Sequence, residues 1–381
     1  MQIANIIKIQ VNAIPAQLAQ KMQATLMALL FILSIIWGTH AIGAATPNPV
    51  KWHPGHYIML VNPGKNSSWY MDNIYNELET YDAIRGIAIR FNWKELETAK
   101  GVYNFSSIDK QLAGVAARNK RLIILLEMKS FSPTIIVPDY LLTATYEGGV
   151  FAHARNGVLK GYNIKLWNTQ VRDRLAALIS ALGKHLNSHP HFEGLGLQET
   201  AMGQPLKPLT TTQTNTYYNN LLSVNKRMRG SFPNTMTFQL MNYPRPILDS
   251  FIGGLKEMGA TLGATDIFMQ ERGLLFPPTK YSPGGLYTYF PQLAGVIPQL
   301  AQVEGSNYEN TKHDGTGYQP TIPELLNFGR DKLKVNYILW TRTPGYYDDV
   351  LLMLNQQAQK STPSGGLAST CPASIASCTT D

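Results

Sequence analysis

The sequence predicts an α/β fold, a single (β/α)8 barrel, on three observations. Short apolar runs alternate with helical patterns eight times along the chain, as in a parallel sheet whose strands return through helices. One of these runs, Ile84–Ile89, is β-branched and apolar, as expected of a strand covered on both faces. No repeat of 20–50 residues marks a solenoid, and nothing marks a second domain.

The first strand is read at Tyr57–Val61, followed by a helix over Trp69–Thr80. Strand two is Ile84–Arg90, and its helix, Ser107–Asn119, starts at serines suited to capping. Strand three is Arg121–Met128. The longest insertion follows, Lys129–Leu166, rich in Pro, Gly and Tyr. Val171–Leu186 carries apolar residues at spacings of three and four and precedes strand four, His191–Thr200. A helix over Asn215–Arg229 leads to strand five, Thr235–Met241, and another over Pro246–Met258 leads to strand six, Thr265–Gln270. A Gly/Tyr/Pro-rich stretch precedes strand seven, Leu300–Glu304. Thr321–Leu333 is a helix with Pro in its first turn, Val335–Thr341 is strand eight, and Asp348–Gln359 closes the set.

The two ends read differently. Leu26–Trp37 is an apolar run followed by small residues through Ala45. It is shorter than the roughly 20 residues a membrane span needs. Residues 1–45 therefore read as a signal peptide cut near Gly43–Ala45, or as an uncleaved anchor, with Met22 or Met27 as alternative starts. Cleavage would leave roughly 335 residues, ample for one barrel, which commonly takes about 250. The expected location is secreted or periplasmic, with membrane contact only if the segment is uncleaved. Residues 359–381 read as a flexible, Ser/Thr/Ala-rich tail. It holds the only two cysteines, Cys371 and Cys378, which could form a disulfide outside the cytosol.

Composition narrows the function. Charged residues make up 15% of the chain, and 19 Tyr and 6 Trp suit a neutral polar ligand such as a sugar. The net charge is +8, but Lys and Arg are scattered, with no basic tract or nucleic-acid motif. No Gly-rich phosphate loop and no Gly-x-Ser-x-Gly elbow occurs. The histidines lack the spacing of a catalytic metal site. No cofactor is implied.

The segment Ile84–Asp109, IRGIAIRFNWKELETAKGVYNFSSID, is the most specific. Its order of strand, Arg90, Trp93, Leu96-Glu97, Gly101, Tyr103, Phe105 and Asp109 resembles the second strand, loop and helix of retaining TIM-barrel glycoside hydrolases of the clan A group. The resemblance implies glutamates at the ends of strands four and seven. Glu199 and Glu304 stand there. By resemblance Glu199 is the acid/base and Glu304 the nucleophile of a double displacement on a β-linked oligo- or polysaccharide. Arg90 would hold Glu304 ionised. Trp340 matches the aromatic platform such enzymes place under the sugar, while Trp93, Tyr243 and Tyr308 are further candidates for lining the cleft. Glu127 and Glu271 could contact hydroxyls, and Glu271 is the alternative nucleophile. Gln198 stands where the family has Asn, and no Tyr or His follows strand six as the family's helper.

Alternatives stay open for each residue. Glu199 and Glu304 could be solvated strand-end charges, and Arg90 could pair with Glu95 or Glu97 in its own loop. Trp340 could be packed between barrel and helices. At the level of function, a glycan-binding barrel that no longer hydrolyses and a transglycosylase with the same residues are the rivals.

Overall fold

The computed structural model describes residues 49–61, 63–310 and 318–380. The expected signal segment or anchor, 1–45, lies outside the described residues. Eight parallel strands close into one barrel: β1 (Gly55–Leu60), β2 (Ile84–Phe91), β3 (Arg121–Leu126), β4 (Phe192–Leu197), β5 (Met236–Met241), β6 (Thr261–Ala264), β7 (Gln299–Val303) and β8 (Tyr337–Thr341). β8 closes on β1 through the register Tyr337↔Gly55 to Thr341↔Met59. Helices α1 (Ser68–Thr80), α2 (Ser106–Ala116), α3 (Thr169–Leu186), α4 (Thr211–Ser231), α5 (Leu248–Glu257), α6 (Phe290–Leu293), α7 (Ile322–Asn327) and α8 (Tyr347–Leu354) follow the strands in turn.

Alternation along each strand divides the core in two. Tyr57, Met59, Ile123, Leu125, Phe238 and Leu339 fill the barrel interior. Their neighbours Ile58, Ile124, Leu126 and Ile338 face the helices. Gly196 on β4 makes room for the Phe238 ring, since a Cβ there would lie 2.1 Å from it. Caps fix where helices begin: Ser67 accepts from Tyr70 N, Asn168 from Gln170 N and Val171 N, and Thr210 forms a capping box with Gln213.

Strand six differs from expectation. The strand is Thr261–Ala264, and the apolar stretch assigned to it is the loop beyond. β5 crowds this strand at Gly263, where a Cβ would meet Leu240 Cδ2 at 2.8 Å. The loop resembles a strand because Ile267 and Phe268 are buried, their N–H groups donating to Asn307 Oδ1 and the Tyr287 hydroxyl.

The Lys129–Leu166 insertion contains a β-hairpin, Val150–Arg155 with Val158–Ile164, extended by Gln204–Pro205 into a three-stranded sheet. Asn156 and Gly157 at its turn have φ of 52° and 76°. Those left-handed angles are what a two-residue hairpin turn demands, and Asn-Gly supplies them readily.

Residues 359–380 are not the free tail that composition suggests. Cys378–Thr379 pairs in parallel with Val50–Lys51. Trp52 Nε1 donates to Ser369 O at 2.7 Å, Asn336 Nδ2 to Ala368 O at 2.8 Å, and His56 Nε2 lies 3.0 Å from Gly365 O. Ser364 and Leu367 are buried. The segment therefore lies across the N-terminal end of the barrel, where β1 and β8 begin. Its order comes from carbonyls that satisfy buried donors elsewhere in the chain. Cys371 and Cys378 are joined by a disulfide within it.

Candidate active site

The C-terminal ends of the strands open into a cavity of about 730 Å³. Arg90, Gln198, Glu199, Tyr243, Glu271 and Glu304 all line it. Six of the residues singled out in the sequence are thus brought together, from the ends of β2, β4, β5 and β7 and from the connection after β6.

Glu304 follows β7 directly. Gln302 and Glu304 continue the inward side of the strand begun by Leu300. The Glu304 carboxylate accepts from Arg90 Nη2 and from Gln302 Nε2, the latter at 2.5 Å. Its backbone N–H donates to Asn307 Oδ1 at 2.8 Å, so a capping box holds the chain at this turn. The local alternatives for Arg90 are taken by other cations. Glu95 pairs with Lys65 at 2.9 Å, and Glu97 pairs with Arg174. Arg90 is left for Glu304.

Glu199 lies two residues past β4, with both carboxylate oxygens engaged. Lys129 Nζ is 2.7 Å from Oε1, and Asn242 Nδ2 donates to Oε2 at 2.5 Å. Asn242 is itself fixed, its Oδ1 accepting from Ala201 N and Tyr243 N. The Lys129 side chain is 6% exposed and also donates to Ala201 O at 2.7 Å. A buried ammonium is tolerable only with such partners.

Gln198 turns its Oε1 to the N–H groups of Met128 and Lys129, at 3.1 and 3.0 Å. It thereby ties the end of β4 to the end of β3. Tyr243 donates to Glu271 Oε1 at 2.9 Å. Burial and that carboxylate push its phenol well above the ordinary value. Glu271 also caps the short turn Arg272–Leu275 by accepting from Gly273 N.

Three expected ligand contacts are not in the cleft. Trp340 is fully buried on the outward side of β8, beside Ile338, and donates to His56 Nδ1 at 3.0 Å. Tyr337 and Leu339 take the inward positions, so alternation sends Trp340 to the helix layer. Trp93 is fully buried and donates to Glu97 Oε2 at 2.6 Å. Glu97 also accepts from Gly101 N at 2.7 Å. The Trp–Leu–Glu wording of the strand-two loop is therefore an internal brace. Tyr308 is fully buried, donates to Thr341 O and stacks on Tyr346.

Glu127 does not line the cavity but sits close to Arg90. Burial raises its carboxyl above the usual range, against the pull of Arg90 and Lys65. Lys129, Asn242 and Asp266 line the cavity without having been singled out in the sequence. Asn242 and Lys129 each follow an apolar strand by one to three residues, a strand-end position like that of Glu199. Asp266 was hidden by the misplaced sixth strand. Among the described residues no group of three or more His, Cys, Asp or Glu is placed to hold a metal ion.

The chain matches no family model and no curated protein. Among solved structures, the catalytic domain of β-amylase from Paenibacillus polymyxa superposes with a TM-score of 0.51 at 10% identity, over 80% of this chain and 98% of that one. This chain has the same barrel fold. An exo-β-1,4-mannosidase from Opitutaceae bacterium strain TAV5 gives a TM-score of 0.48 at 12% identity, over 81% of this chain and 57% of that one. Endo-glycoceramidase II from Rhodococcus sp. gives 0.45 at 11% identity, over 78% and 76%. The TIM-barrel architecture implied by the strand-two resemblance is met at the level of fold.

Proposed function

We propose that the protein is a retaining glycoside hydrolase acting on β-linked glycans, exported by way of its apolar N-terminal segment. The observation that carries this reading is that Glu199 and Glu304, from the ends of β4 and β7, line one cavity. Two carboxyl groups facing one space are the minimum such chemistry needs. In the first step Glu304 attacks the anomeric carbon, and the glycosidic oxygen leaves with a proton from Glu199. In the second, Glu199 takes a proton from water, whose oxygen displaces Glu304 and releases the sugar. Arg90 and Gln302 orient the attacking carboxylate, and Asn242 and Lys129 fix the other.

The test separates the two roles. Glu304→Ala is expected to abolish turnover of aryl glycosides. Glu199→Ala is expected to slow natural glycans by roughly 10²–10⁴-fold and to be rescued by azide with retention of configuration. An inverted sugar azide from the Glu199→Ala enzyme, or an active Glu304→Ala enzyme, overturns the assignment and moves attention to Glu271.

One observation favours a second reading, a barrel that binds glycans without cutting them. Both oxygens of Glu199 already have partners. Glycan binding by a wild-type protein that turns over no member of an aryl-glycoside and polysaccharide panel would decide for it.

A further inference from the structure

The hairpin beyond β3 carries two cations that the proposed reaction leaves unused. Arg155 and Lys160 line the same cavity as the two glutamates, and both are exposed. Among the described residues neither the guanidinium nor the ammonium has a hydrogen-bond or ion-pair partner. The deeper cations are committed, Arg90 to Glu304 and Lys129 to Glu199. The remaining lining carboxylates, Asp266 and Glu271, come from the connection after β6. Charge around the cleft is thus segregated by connection, with the unspent positive charge all on the hairpin.

The hairpin base is fixed. His153 is buried, its Nε2 lies 2.8 Å from Ser130 O, and His153 and Ala154 pair with Pro205 and Gln204. Burial holds the His153 imidazole below its usual value, so it adds no charge at neutral pH. Arg155 is the last residue of this anchored strand, paired with Val158. Between hairpin and barrel, Phe131 lines the cavity while 56% exposed, an apolar face on which a sugar ring can stack.

The geometry points to a glycan bearing an anionic group, a uronate carboxylate or a sulfate ester, seated against Arg155 and Lys160 with a ring on Phe131. The inference names the substrate class of the site proposed above and rests on that reading for turnover, but not for binding.

Binding is therefore the test. The full chain is titrated calorimetrically with a uronic-acid oligosaccharide, a sulfated oligosaccharide and the carboxyl-reduced neutral counterpart, at low and high salt. At least one anionic probe is expected to bind roughly tenfold tighter than the neutral one. The advantage should shrink as salt screens it. The stronger of the two anionic probes identifies carboxylate or sulfate as the ligand. Arg155→Gln with Lys160→Gln, checked for folding by circular dichroism, should cancel the advantage. Equal affinity for neutral and anionic probes, no affinity for any of them, or an advantage that survives the double substitution overturns the inference. Anionic binding without turnover of any glycan would remove the hydrolase reading and leave this one standing. Turnover with no anionic preference would do the reverse.

Discussion

Arg90, at the end of β2, donates through Nη2 to the carboxylate of Glu304, at the end of β7, across the mouth of the barrel. The contact joins residues 214 positions apart in the chain. Only barrel closure brings them together. Both side chains are largely shielded, at 12% and 29% exposure, so the pair is screened less than a surface ion pair would be.

Removing that guanidinium leaves Glu304 with Gln302 as its one side-chain partner among the described residues. Arg90→Ala is expected to lower kcat on aryl glycosides by roughly 10²-fold, the scale of losing one preorganised electrostatic contact. Steady-state kinetics beside a thermal melt would check it. Unchanged kcat in a folded variant would mean that Arg90 does not position the nucleophile.

Glu127 is a burden at neutral pH. Because burial raises its carboxyl in the folded state, folding favours the protonated form. The stability this lends is complete below the ordinary carboxyl range and is lost as pH rises through the folded-state value. Glu127→Gln should therefore raise Tm at pH 7 relative to wild type, with the gap closing toward pH 4. Melts across that range test it, and a gap that widens on acidification would refute it.

His56 gives the opposite slope. It is fully buried between Trp340 Nε1 and Gly365 O, and burial lowers its imidazole from 6.5 to about 4. The neutral form is favoured on folding, so stability is intact above about 6.5 and is lost as pH falls toward 4, by about 3 kcal/mol at most. His56→Gln should flatten this part of the acid limb, so its deficit against wild type narrows as pH drops. Denaturant titrations at several pH values would show it.

Deleting residues 362–381 should destabilise the barrel. Trp52, His56 and Asn336 each lose a carbonyl partner, about 1 kcal/mol apiece. Re-exposing Leu367's contacts adds about 2 kcal/mol. A chemical melt of the truncated chain with an unchanged midpoint would show that the segment is dispensable.

Much of this protein was legible in the chain alone. The apolar runs from Ile84, Arg121, Met236 and Tyr337 are dictated by burial on both faces, which leaves a local record. Arg90 was readable because it is polar and ends such a run, and Glu199 and Glu304 because they stand at the strand ends where the strand-two resemblance implies carboxylates. What local sequence could not carry was decided by packing between distant segments. Thr261–Ala264 is a strand because it pairs with β5 and β7, with a glycine at the position where Leu240 leaves no room for a Cβ. Trp340 faces the helices because Tyr337 and Leu339 fill the barrel. The Ser/Thr-rich end is ordered because Trp52, His56 and Asn336 need its carbonyls. Lys129 and Asn242 meet Glu199 only once β3, β4 and β5 lie side by side. Periodicity and strand-end chemistry are properties of neighbours in sequence; partners, facing and order are set by neighbours in space.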